Sequence, residues 1–197
     1  MRRQVTFSVI ADGGTDKMLI PVLNWAIHRL DPDVDILEPD FAKRKGSVGD
    51  FLTNYVTSSM LTFVHRDAEG VSHDVRRREF DHIGRSDVVP VIPVRMSEAW
   101  LLIDGPAIAQ AADRPNATVV LPPIASLEGL ADPKQVLEDL LIGAAGELTN
   151  RRRRRFRTSL IDRRVNLASL ISDYSPLEGL TAFVRFQAEL AAVYPYA

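Results

Sequence analysis

Two short acidic clusters are the part of this chain whose residue types and spacing suit chemistry. The first is Asp12, Gly13, Gly14, Thr15 and Asp16, and the second is Asp67, Ala68 and Glu69. Each follows a β-branched and aromatic run of strand length, Val5 to Ala11 and Leu61 to Arg66. Carboxylates at the carboxyl ends of parallel strands converge on one crevice, which is where open α/β sheets bind ligands. Clustered carboxylates in such a crevice are suited to holding Mg²⁺, a hard ion that prefers oxygen.

The elements that must position these clusters alternate up to about residue 105. A strand over about 4–11 leads through the Gly-Gly turn into a helix from Asp16 or Lys17 to Leu30, with Leu19, Ile20, Leu23, Ile27 and Leu30 at helical spacing. Val34 to Leu37 suggests a short second strand, and 43–49 a polar loop. Asp50 is then expected to cap a helix carrying Phe51, Leu52, Tyr55 and Val56. After the strand ending at Asp67 comes a charged helix from about Ser72 to Ile83. Asp87 to Val94 is another strand, whose Pro90 and Pro93 imply an edge or irregular position. Ser97, read as a cap, and Glu98 open an apolar helical stretch from Ala99 to Ile103. This alternation predicts an α/β fold, a parallel sheet with helices on its faces.

Beyond Gly105 the pattern becomes mainly helical. Asp132 caps a helix to Ile142 with Pro133 at its first position, and 167–171 and 177–190 give two more. The expected division is an α/β domain over 1–105 and a helical extension over 106–197 with an arginine-rich segment at 151–164.

Hydrophobic content of 46% with 25% charged residues is that of a folded globular protein. No apolar run approaches the roughly 20 residues that span a bilayer, and the start of the chain lacks the apolar stretch of a signal peptide, so a cytoplasmic protein without membrane partners is expected. The absence of cysteine excludes disulfides, thiolate metal sites and cysteine nucleophiles, and leaves oxygen or imidazole to bind any metal. The net charge of −2 conceals a segregation. Residues 151–164 hold eight arginines against Asp162, a net of plus seven, so the rest of the chain carries minus nine. Arg151, Arg152, Arg153, Arg154, Arg155 and Arg157 therefore read as a patch for the phosphates of DNA or RNA, with an exposed helix face or a site for an acidic partner as the plainer alternatives. His65 is the histidine expected nearest the site, although a strand histidine reads first as structural, and His28, His73 and His82 lack metal-ligand spacing. Trp100 reads as a core anchor.

The order of these features resembles the Toprim domain, the compact α/β fold of topoisomerases, primases and overcoming-lysogenization-defect nucleases. The segment from Val91 to Asp104 with its Glu98, Ala99 and Trp100, together with Asp132 to Lys134, Ser175 and Pro176, and Phe183 and Phe186, is similar to a bacterial family of Toprim-like proteins often encoded beside ATPases in phage-defence loci. The resemblance implies a Mg²⁺-dependent nuclease acting with an ATPase partner, Mn²⁺ being an alternative ion. In it Asp67 and Glu69 are the main ligands, Asp12 is ligand or general acid/base, Asp16 supports them, and Glu98 is a fifth acid. Asp12, Asp67 and Glu69 are then catalytic. Phosphodiester cleavage requires an activated oxygen and neutralised phosphate charge, and a divalent ion supplies both. The glycines let the backbone approach a phosphate.

Two positions depart from the family. Asp12 stands where glutamate is usual, and Glu69 where aspartate is usual, so reach is shortened by about 1.5 Å in one place and lengthened in the other. A second reading follows, a catalytically weakened module that binds nucleic acid or regulates its ATPase. A third is phosphoryl chemistry on a small nucleotide. A helical interface leaves a homo-oligomer open.

Overall fold

The computed structural model describes residues 2–196. Among them β1 (Gln4–Val5), β2 (Phe7–Ala11), β3 (Asp35–Ile36), β4 (Asp40–Lys43), β5 (Leu61–His65) and β6 (Val88–Val91) are the strands. The α-helices are α1 (Leu19–Leu30), α2 (Val48–Asn54), α3 (His73–Arg77), α4 (Gly105–Ala111), α5 (Pro133–Ala145), α6 (Asn150–Thr158), α7 (Leu160–Leu170) and α8 (Thr181–Val193). The architecture is α/β. Four strands form a parallel sheet in the order β4-β2-β5-β6, and β1 pairs in parallel with β3 beside it.

The single strand expected over 4–11 is divided at Thr6, because that residue bonds elsewhere. Its carbonyl accepts the N–H groups of Met60 (3.0 Å) and Leu61 (3.2 Å), and its Oγ1 accepts from Met60 N–H at 3.1 Å. Residues Phe7–Ala11 are all buried, as a central strand covered on both faces requires. Their alternation sorts the two faces. Phe7 and Val9 join Leu61, Phe63, Val89 and Val91 in the main core, whereas Ile10 joins Val64, Val48, Leu52, Phe80 and Ile92 in a smaller one. Pro90 lies on β6 at an edge of the sheet, where a residue with no N–H to donate is tolerated.

Several elements differ from expectation. Asp40–Lys43 is a strand paired with Ser8–Ala11, although the sequence there shows only Phe41 and Ala42 between charged residues. The helix that follows is capped by Ser47, whose Oγ accepts from Asp50 N–H at 3.1 Å, so Asp50 lies in the first turn. The charged helix ends early, since α3 gives way to a 3-10 turn over Arg78–Phe80. Ser97 does not cap with its side chain. It is buried, starts a 3-10 turn over Ser97–Leu101, and uses its backbone N–H on Asp67. Asp132 caps α5 as expected, accepting from Gln135 N–H at 2.9 Å, with Pro133 at the first position.

No strand follows Val91 among the described residues, and the regular elements from Gly105 onward are helices and 3-10 turns joined by irregular segments. The main core nevertheless runs across residue 105 unbroken. It takes in Val9 and Phe63 from the sheet, Trp100, and Leu137, Leu167, Phe183 and Leu190 from the later helices. Phe183 meets Trp100 edge to face at 5.2 Å, and Phe186 meets Phe63 at 6.1 Å. No helix is long and apolar enough to cross a membrane among the described residues.

Candidate functional site

The adjacent parallel strands β2 and β5 release their chains at the same edge of the sheet. Past Ala11, whose carbonyl accepts Arg44 N–H at 2.7 Å, the chain leaves the sheet at Asp12. A 3-10 turn over Gly14–Met18 then brings the Asp16 carboxylate back onto Gly13 N–H at 2.9 Å. Past His65 the chain stays alongside β6, with Arg66 N–H on Val91 O and Ala68 N–H on Pro93 O. It turns away at Glu69 (φ 52°) and Gly70 (φ 90°), a left-handed pair in which Glu69 is the unusual member. Asp12, Asp16 and Asp67 are thus gathered at one edge, as the sequence implied.

The acids' arginine partners, Arg44, Arg66 and Arg164, are not foreshadowed in the sequence, whereas His65 is the histidine expected nearest the site. His65 is buried between two of the acids. Its Nε2 is 2.9 Å from Asp67 Oδ1, and its Nδ1 is 3.4 Å from Asp16 Oδ2, a charge contact without hydrogen-bond alignment. Asp67 Oδ1 also accepts Ser97 N–H at 3.1 Å. Burial acts to lower the imidazole's pKa, but the two carboxylates outweigh it and push it up to about 10. Burial likewise acts to raise Asp16, and His65 with the backbone N–H groups outweighs that, holding its carboxyl below the usual range. Two carboxylates beside a buried ring favour its protonated form.

Asp12 and Glu69 are occupied by arginines. Arg44 donates to Asp12 Oδ1, and Arg66 Nη1 stands 3.5 Å from Asp12 Oδ2 and 3.9 Å from Glu69 Oε2. The Arg66 guanidinium therefore lies between the two acidic clusters, where the resemblance would put a metal ion. Its Nε donates to Glu79 at 3.0 Å, and Arg76 ties Glu79 (2.8 Å) to Glu69 (3.1 Å). The Arg76 and Glu79 spacing of three residues is a helical pair that the sequence does display.

Glu98 is set back from the edge. It is buried and accepts from Arg164 Nη1 at 2.7 Å, with Glu138 3.7 Å from the same nitrogen. Burial pushes its carboxyl above the usual range despite Arg164. A divalent ion needs converging oxygens that are not already shared with cations. Here Asp12, Asp16, Asp67, Glu69 and Glu98 each face an arginine or the His65 ring. Among the described residues no group of three or more histidines and carboxylates is placed to hold a metal. Arranged in this way the acids do not fit Mg²⁺ or Mn²⁺.

The arginine run forms α6. Phe156 is buried and stacks beneath Arg163, whose guanidinium carbon lies 4.2 Å from the ring centroid. Arg151, Arg152, Arg153, Arg154, Arg155 and Arg157 are all exposed, and none pairs with a carboxylate among the described residues. The chain passes at Ser159 into α7, which packs against the Gly14–Met18 turn and carries Arg164 to Glu98. The basic helix is thereby joined to the acidic edge through one element.

The His65 clamp makes stability depend on pH. A raised pKa in the folded state means that the imidazolium's contribution is complete below about 6.5, its unfolded value, and is lost as pH rises through about 10. Asp16, whose pKa is depressed, contributes above its ordinary 3.8 and stays constant across that window. Thermal melts at pH about 6, 8 and 10 are therefore expected to bring the wild-type Tm down towards that of His65→Gln as pH rises. A gap that stays constant across the series would mean that His65 is uncharged.

Comparison of the chain with models of protein families, with curated proteins and with solved structures gives no match.

Proposed function

We propose that this chain is a nucleic-acid-binding module on a Toprim-like scaffold, in which the acids at the sheet edge organise arginines and a histidine instead of a metal ion. The observation that carries the reading is α6, with six exposed arginines, unpaired among the described residues, on a helix anchored by Phe156 and joined through α7 to the sheet edge. Unpaired guanidinium groups in a row attract phosphates without reading sequence, and they release counterions when they do so. The internally neutralised edge no longer repels a polyanion.

The reading predicts salt-dependent binding of DNA or RNA. Plotted as log K against log salt, replacing the six α6 arginines by glutamine is expected to flatten the slope by about 0.9 for each duplex phosphate that is no longer neutralised. Titration by fluorescence anisotropy at several salt concentrations measures it. An unchanged slope would remove α6 from the interface.

One observation favours a second reading, a metal-dependent nuclease of Toprim type. Asp12, Asp16 and Asp67 follow neighbouring parallel strands at the carboxyl edge, where such an enzyme would need them. It requires Arg66 and His65 to yield their carboxylates. Incubation with plasmid and structured RNA in Mg²⁺, Mn²⁺ or EDTA separates the two. Cleavage that needs metal and disappears in a folded Asp67→Ala variant selects the nuclease, and binding without cleavage selects the module.

A further inference from the structure

We propose that Phe51 and Tyr55 form a stacking platform for an unpaired base, so that the protein takes single-stranded nucleic acid in preference to duplex. The inference rests on the nucleic-acid reading above and names its substrate class. Phe51 on α2 and Tyr55 at its C-cap lie one turn apart, and their rings stack on each other with centroids at 5.4 Å and planes 26° apart. One flank of the pair packs on the smaller core. The other lines an open cavity of about 500 Å³ together with Lys45, Asp50 and Asn54.

Core packing takes only part of this aromatic surface, since Phe51 and Tyr55 are half-buried. Val48 and Leu52, from the same helix, already fill the core beneath and are almost fully buried. The platform is also held rigid. Arg85 donates to the Tyr55 carbonyl at 2.9 Å and is itself fixed by Asp87 at 2.6 Å, which immobilises the end of α2. A preformed ring surface loses little freedom when a flat partner settles on it.

The surrounding charge specifies that partner. Lys43 and Lys45 are exposed on the segment that runs from β4 into α2, and Lys45 shares the cavity with the rings. Asp50, the one acid there, is engaged by Ser47 Oγ at 2.6 Å. An aromatic face beside the Lys45 ammonium matches a base attached to its phosphate, because every base offers a π-face and every linkage a negative charge. A duplex keeps its bases stacked inside and cannot use such a surface. The platform adjoins the sheet edge, since β4 pairs with β2 and Arg44 binds Asp12.

Anisotropy titrations with labelled oligo(dT), oligo(U) and a duplex of equal length test the proposal. For the Phe51→Leu/Tyr55→Leu double variant, a loss of about tenfold or more in affinity for both single strands is expected, with duplex binding unchanged. Tyr55→Trp is expected to keep the single-strand affinity and to show indole fluorescence quenched by the stacked base. This second variant decides the matter if the leucine variant fails to fold. Equal single-strand binding by wild type and leucine variant, or a bound oligonucleotide that leaves the indole unquenched, overturns the platform and leaves the phosphate-binding reading intact. No binding of any nucleic acid overturns both.

Discussion

Arg164→Met is expected to lower the stability of the protein by about 3–5 kcal/mol in denaturant titrations, the cost of leaving one member of a buried ion pair alone. Arg164 is only 3% exposed and Glu98 7%, so solvent screens neither. At 2.7 Å the guanidinium is the main cation facing Glu98, whose carboxyl is already pushed up by burial. In the variant Glu98 must either stay charged in a buried site beside Asp67 and Glu138 or take up a proton. Its folded-state pKa then lies well above its unfolded value, so the penalty is smallest below about pH 4.5 and grows as pH rises. Glu98→Gln/Arg164→Met removes both charges and is expected to recover most of the loss. A double variant as unstable as the two single changes added together would mean that the pair is not coupled.

Phe183→Ala is expected to cost a similar amount, about 3–5 kcal/mol. The ring is fully buried and faces Trp100 at 5.2 Å, Phe186 at 5.6 Å and Trp25 at 6.2 Å. Its removal opens a cavity among rigid aromatic rings that cannot collapse onto one another. Against a total stability of about 5–15 kcal/mol the loss is severe. Phe183 belongs to the late helices and Trp100 to the segment after the sheet, so the damage is expected to reach both. Indole fluorescence and far-ultraviolet circular dichroism should therefore lose their native signals in one transition. Two separated transitions would show that the sheet and the late helices unfold independently.

The parts of the fold that the sequence displayed are those governed by local rules. The strand-length runs before Asp12 and Asp67, the helical spacing from Leu19 to Leu30 and the Asp132-Pro133 cap each follow from residues a few positions apart. The edge position of Pro90 follows from a missing N–H. Strand β4 was hidden because Asp40 and Lys43 are exposed and only two apolar residues lie between them. The break at Thr6 depends on Met60, which is 54 positions away. The same distinction holds at the site. Residue type and order brought Asp12, Asp16 and Asp67 to one edge, but their partners come from distant segments. Arg44 reaches Asp12 across 32 positions, and Arg164 reaches Glu98 across 66. A carboxylate looks the same in sequence whether it will face a metal ion or a guanidinium.

The anchored arginine helix also bears on how quickly a ligand arrives. Six exposed arginines concentrated on α6 make a local positive pole on a molecule whose net charge is only −2. A polyanion approaching from solution exerts a torque that turns α6 towards it before the two surfaces touch. The encounter is pre-oriented, and its rate falls as salt shortens the Debye length. Phe156 matters here because it fixes α6 to the core, so the positive pole keeps one direction relative to the sheet edge and an orienting collision delivers the strand to the same face each time.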